Sequence, residues 1–160
     1  MSNEITIYFA GPLFTQGEWL WNVTVTELLR GAGIDVILPQ EGSIPMMSGE
    51  EKFDAKLLFD TNVASIERSD AVVAILDQTD PDSGTAWECG YAYKLGKPIF
   101  GVRSDFRIAG DDGDLPVNLM LARSCSGFLN VPIARRTDTE WVAEQIAANV
   151  HAIIGRPASR

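Results

Sequence analysis

The sequence predicts an α/β domain, a three-layer arrangement in which a doubly wound parallel sheet of about five strands is covered by helices on both faces. Three observations point there. Short apolar runs alternate with longer stretches of helical spacing, and strands alternating with helices build a parallel sheet through right-handed crossovers. The run DAVVAIL at 70–76 is continuously apolar after its first residue, as a strand reads when both of its faces are covered. The run ITIYFA at 5–10 stops at Gly11-Pro12, a pair that ends a buried strand.

After that first strand, residues 18–31 carry apolar side chains at helical spacing, with Leu20, Val23, Leu28 and Leu29, and Gly31 or Gly33 ends the helix. IDVIL at 34–38 reads as a second strand stopped by Pro39, and 39–50, rich in Gly, Pro and Ser, as a loop. Residues 51–68 predict a helix with Phe53, Leu57, Leu58, Val63 and Ile66 on or near one face. The third strand at 70–76 leads to a helix at 83–96. Lys97-Pro98 introduces a fourth strand at 99–102, followed by a polar loop at 103–114. The short segment PVNLMLAR and a weaker fifth strand at 126–131 come next. The chain closes on an amphipathic helix at 138–154, capped by Asp138 or Thr139 and packing through Trp141, Ile146, Val150, Ile153 and Ile154. This order describes a single flavodoxin-like domain over residues 1–160.

Composition narrows the function. A chain of 160 residues supports one domain with a full core, and 46% hydrophobic against 22% charged residues is ordinary for a globular protein. No apolar run approaches a membrane span. The opening MSNEITIYFAGP has no basic region followed by an apolar one, so a cytoplasmic protein without a signal peptide is expected. A formal net charge of −9 argues against a nucleic-acid polymer as partner and disfavours highly phosphorylated ligands. Asp111, Asp112 and Asp114 form the one dense acidic patch, read as a solvated loop. Cys89 and Cys125 have no CxxC or metal-ligand spacing, and are expected as a reduced pair.

Ligands of such sheets bind beyond the carboxyl ends of the strands. That selects the loops Gly11 to Phe14, Asp77 to Thr85 and Arg103 to Gly113. Glu88 belongs to the second. Its helical neighbours are Gly84, Thr85, Tyr91, Ala92 and Leu95, none of them charged. Pro81 fixes the preceding turn, Asp82 or Ser83 caps the helix, and Gly84 leaves room for close approach. Tyr8, near the end of the first strand, is placed to hold the Glu88 carboxylate. A carboxylate held in a pocket serves as a general acid or base, or as a nucleophile that forms an ester at a glycosyl carbon. Each residue also has a plainer reading. Glu88 fits a helix surface in another register, Asp82 and Ser83 are ordinary caps, and Tyr8 is an ordinary core tyrosine. Trp19, Trp21 and Trp87 suit the core edge or a subunit contact.

Other templates fail. GxGxxG, the Walker A motif and GxSxG are all missing from the sequence. The single histidine, His151, lies in the last helix, far from any Ser or Cys triad logic, and no metal-ligand cluster is visible.

Four stretches together carry a resemblance: IYFAGPLF at 7–14, SDAVVAILD at 69–77, DPDSGTAWECGYAYKLGKPI at 80–99 and VNLM at 117–120. In this order they resemble the nucleoside 2-deoxyribosyltransferase family, from about residue 5 to residue 130. The resemblance implies the same flavodoxin-like fold and an exchange of bases on 2'-deoxynucleosides, without cofactor or metal. Glu88 matches the family's nucleophile, which forms a covalent deoxyribosyl ester that a second base attacks with overall retention. Water is a slow competing acceptor. Tyr8 matches the residue that orients the nucleophile, and Asp82 one that binds sugar hydroxyls. Phe14 and its neighbour Leu13 fall where the family stacks apolar side chains on the base, and Gly11, Asn62, Ser83 and Gly84 are expected among the substrate-binding residues. Asn118 and Met120 match residues lent by a neighbouring subunit, which implies a homo-oligomer.

One position departs from the family pattern. Many members carry an aspartate, thought to handle the leaving base's proton, where this chain has Asn62, and Asp60 is two residues away. An amide hydrogen-bonds a base but supplies no catalytic proton. Three other readings stand beside this one. A nucleoside 5'-monophosphate N-glycosidase would favour serine at position 82, since Asp82 repels phosphate. A nucleoside- or nucleotide-binding sensor would bind without turnover. A receiver-type signalling domain would want acidic residues in place of Gly11-Pro12.

Overall fold

The computed structural model of the chain describes residues 5–49, 52–111 and 113–155. Five strands form one parallel sheet: β1 (Ile5–Ala10), β2 (Ile34–Ile37), β3 (Ala71–Ile75), β4 (Ile99–Arg103) and β5 (Gly127–Asn130). Their spatial order is β2-β1-β3-β4-β5, the doubly wound flavodoxin-like order with its switch point between β1 and β3. The helices are α1 (Gln16–Gly31), α2 (Pro39–Met47), α3 (Ala55–Arg68), α4 (Ser83–Lys94), α5 (Leu119–Ser124) and α6 (Thr139–Ile154).

Alternation along β1 divides the core in two. Ile5, Ile7 and Phe9 face α1 and α6, packing with Val25, Leu29, Ile146 and Val150. Tyr8 and Ala10 face the other way, into a cluster with Ile66 of α3 and Cys89 and Ala92 of α4. Successive strand residues point to opposite faces, so Tyr8 is the residue of β1 that must meet the α4 side.

Several expectations change. Residues 39–47 are a helix, α2, not a loop. Pro39 ends β2 but also occupies the first helical turn, where its missing N–H is no loss. The α1 face turned inward is Asn22, Val25, Thr26 and Leu29, while Leu20 and Val23 are exposed. α1 begins two residues earlier than predicted, on a capping box between Thr15 and Glu18. The α3 helix starts at Ala55 behind an Asp54 cap. Phe53 therefore precedes it, Leu57 is exposed, and residue 51 of the predicted span lies outside the described residues. Asp111 is not merely solvated, because its carboxylate accepts from the Leu119 N–H at 2.6 Å and from Asn118 Nδ2 at 3.5 Å. Asp112 lies outside the described residues.

Candidate active site

The β3–α4 turn ends at Asp82, whose Oδ2 accepts from the Thr85 N–H at 2.8 Å and the Thr85 hydroxyl at 3.1 Å. This cap starts α4 and aims its second turn across the sheet at β1. Glu88 sits there. The Tyr8 hydroxyl donates to Glu88 Oε1 at 2.5 Å, the length of a strong bond to a carboxylate. Burial pushes the Glu88 carboxyl up to about 7, the bond from Tyr8 pulls it back down, and the Asp82 charge adds to the upward push. Burial also drives the Tyr8 hydroxyl well above its ordinary value, with the Glu88 charge second. Tyr8 thus stays protonated, as a donor must.

Glu88 and Asp82 open into a cavity of about 300 Å³ at the β1/β3 switch point, where the lower end of ligand-sized pockets begins. Gly84 and Thr85 complete the carboxylate end. A Cβ at Gly84 would stand 3.1 Å from Asp82 Oδ2, so glycine keeps that carboxylate clear. Gly11, Leu13 and Phe14 form one side, from the loop after β1. A Cβ at Gly11 would lie 3.1 Å from Ile75, so glycine also lets this loop close on β3. The opposite side comes from Pro39 and Ser43 of α2, Phe53, and Leu58 and Asn62 one turn apart on α3. Asp60 points elsewhere, paired with Lys56 on the helix surface.

Of the residues singled out in the sequence, Gly11, Leu13, Phe14, Asn62, Asp82, Gly84 and Glu88 line this one cavity, and Tyr8 stands behind it with no exposure at all. Three lie outside it. Ser83 is exposed at the first position of α4. Asn118 caps α5, accepting from the Met120 N–H at 3.0 Å, and Met120 is 73% exposed. None of the described residues of the loop after β4 lines the cavity, contrary to the strand-end rule; several of them border a separate space of about 250 Å³. Pro39, Ser43, Phe53 and Leu58 were not foreseen. The i, i+4 pairing of Leu58 with Asn62 was the available signal.

His151 is buried on α6, across the sheet from Glu88. Cys89 and Cys125 are free thiols, and burial raises both. Among the described residues no group of three His, Cys, Asp or Glu side chains is placed to hold a metal. None of the described helices is long and apolar enough to cross a membrane.

A half-buried carboxylate held by a tyrosine thus faces a cavity at the switch point of a parallel α/β sheet, the place where sheets of this class bind small ligands. Comparison with known proteins gives the family. The sequence model for nucleoside 2-deoxyribosyltransferase matches residues 7–120, and the chain belongs to that family. A 2-deoxyribosyltransferase structure from Bacillus psychrosaccharolyticus is 27% identical, covering 84% of this chain and 90% of its own, with a TM-score of 0.66. One from Leishmania mexicana is 30% identical over 73% of this chain and 85% of its own, with a TM-score of 0.59. A CMP N-glycosidase from Clostridium botulinum shares the fold at 12% identity, covering 88% and 97%, with a TM-score of 0.59.

Proposed function

We propose that the protein moves 2-deoxyribose between purine or pyrimidine bases through a covalent ester on Glu88. The observation that carries this reading is the Glu88 carboxylate, held by Tyr8 at 2.5 Å and open to a largely apolar-walled cavity. The ionised Glu88 attacks C1' of the nucleoside. The C1'–N electron pair leaves with the first base, which takes up a proton from water. A ring nitrogen of the second base then attacks C1', the ester C–O bond breaks, and Glu88 returns as a carboxylate. The N–H proton of the attacking base passes to the hydroxide left when the first base took a proton from water. Two displacements give retention. The oxocarbenium character that develops at C1' is stabilised by the adjacent anions in a largely apolar-walled cavity. Water in place of the second base gives slow hydrolysis.

Asp82 binds sugar hydroxyls at the carboxylate end. Phe14, with Leu13, covers the base, and Asn62 hydrogen-bonds its edge without supplying a proton. Asn118 and Met120, exposed in one chain, complete the site of a neighbouring subunit in a homo-oligomer. We place the whole chain in one domain that needs no cofactor. Its free thiols suit the cytoplasm.

The test is chromatographic. Incubating the protein with 2'-deoxyinosine and adenine should give 2'-deoxyadenosine, and Glu88→Ala should give none. Free base released only from a 5'-monophosphate donor, with no new nucleoside, would replace this reading by an N-glycosidase. Ligand binding without base release from any donor would replace it by a sensor.

A further inference from the structure

Gln78 adopts φ 75° and is the one non-glycine residue among the described residues with a positive φ. Glycine reaches that conformation freely, whereas a residue with a side chain does so only when its surroundings hold it there. Here they hold it from both ends. The Gln78 carbonyl accepts from Arg103 Nη1 at 3.0 Å. Arg103 is 2% exposed, and its guanidinium also donates to the carbonyls of Leu76 at 2.5 Å and Arg107 at 2.9 Å. The Gln78 side-chain amide leaves in the other direction and donates to Glu18 Oε1 at 2.9 Å.

Glu18 passes the contact on. Its second oxygen, Oε2, accepts the backbone N–H of Phe14 at 2.9 Å and of Thr15 at 2.7 Å. Phe14 is a wall of the cavity, and Asp82, four residues beyond Gln78, lies at its carboxylate end. A continuous line of hydrogen bonds therefore runs from a buried guanidinium at the end of β4, through the loop after β3, to the loop after β1. Glycine at position 78 would meet the backbone demand but would cut this line, since only the side-chain amide reaches Glu18.

We propose that Gln78 is a positioning residue that holds the Phe14 wall at a fixed distance from Asp82 and Glu88, and so sets affinity for the base without touching it. The proposal rests on the nucleoside reading of the cavity. It separates recognition from chemistry. Loss of the amide loosens the base wall, while Tyr8 and Glu88, anchored in β1 and α4, keep their geometry.

Steady-state exchange between 2'-deoxyinosine and adenine, with a thermal melt of each variant, tests it. Gln78→Gly should melt no lower than wild type, because the φ demand is relieved. Its KM for 2'-deoxyinosine should rise about threefold, no further than removal of the Phe14 ring itself would take it, with kcat nearly unchanged, as a displaced binding wall would give. Gln78→Glu sets two carboxylates against each other and should raise KM at least as far. Combining it with Glu18→Gln lets the new amide donate to the new carboxylate while its oxygen still accepts from Phe14 and Thr15, and should recover most of the lost affinity. An unmoved KM in a fully folded Gln78→Gly protein overturns the proposal, as does a double variant no better than Gln78→Glu alone. A purely structural role would instead lower the melting temperature and kcat together, which also overturns it. A wild-type protein that releases no base from 2'-deoxyinosine overturns the nucleoside reading and this proposal with it.

Discussion

The two ends of the cavity are built on different principles. At the carboxylate end, Tyr8 comes from β1 with no exposure, and Glu88 from a helix whose start is fixed by the Asp82 cap. At the other end, Phe14 and Phe53 are 73% and 61% exposed and come from connecting segments. The group proposed to react is thus anchored to the folded core through Tyr8, and the groups proposed to recognise the base belong to the surface. Binding residues on loops positioned by a rigid scaffold are a general solution. Here the division predicts which substitutions cost rate and which cost affinity.

The largest effect falls on Glu88. Glu88→Ala should lower exchange by roughly a thousandfold or more, as loss of a covalent nucleophile does. The same residue has a pH signature in stability. Its folded carboxyl lies at about 7 against an ordinary 4.5. Between these values the folded protein keeps a proton that the unfolded chain has released, so stability falls as pH rises through this window and levels off above 7. Glu88→Gln removes that loss. Denaturant unfolding should show it more stable than wild type by at most about 3 kcal/mol at pH 8, with no pH-dependent difference below pH 4.

Tyr8→Phe comes next. The hydroxyl favours the ionised form of Glu88, so its loss should move the acid limb of the kcat/KM profile above pH 7 and reduce neutral activity about tenfold. Phe14→Ala tests the opposite end. It should raise KM for the nucleoside several-fold, about what one base–aromatic stacking contact supplies, and leave the acid limb unmoved. A shifted limb in Phe14→Ala, or an intact one in Tyr8→Phe, would break the division between the two ends.

The same division explains what could be read in advance. β1 and β3 were legible because buried central strands are continuously apolar, and Glu88 because a carboxylate among apolar and small neighbours stands out on a helix. The far side of the cavity was not legible. Pro39 and Gly42 give α2 the composition of a loop, although residues 39–47 are helical. The inward face of α1 misled for a related reason, since half of it is polar. Asn22 Nδ2 donates to the Pro12 carbonyl at 3.0 Å and to Gln40 Oε1 at 2.9 Å, and the Thr26 hydroxyl donates back to the Asn22 carbonyl at 2.7 Å. Hydrophobic periodicity does not register a face whose polar groups are satisfied by one another. Asn118 and Met120 stood out only through the resemblance, because neither lines the cavity of its own chain.

The place of β1 has one more consequence. Tyr8 is paired with Ile37 on one side and Val72 on the other, in the interior of the sheet. Such a strand does not fray, and its amides are released to exchange with solvent only when the whole sheet comes apart. The anchor of Glu88 is therefore tied to the most slowly opening part of the molecule. Warming loosens the exposed loops first, so the grip on the base fades gradually, whereas the Tyr8–Glu88 pair survives until the sheet melts.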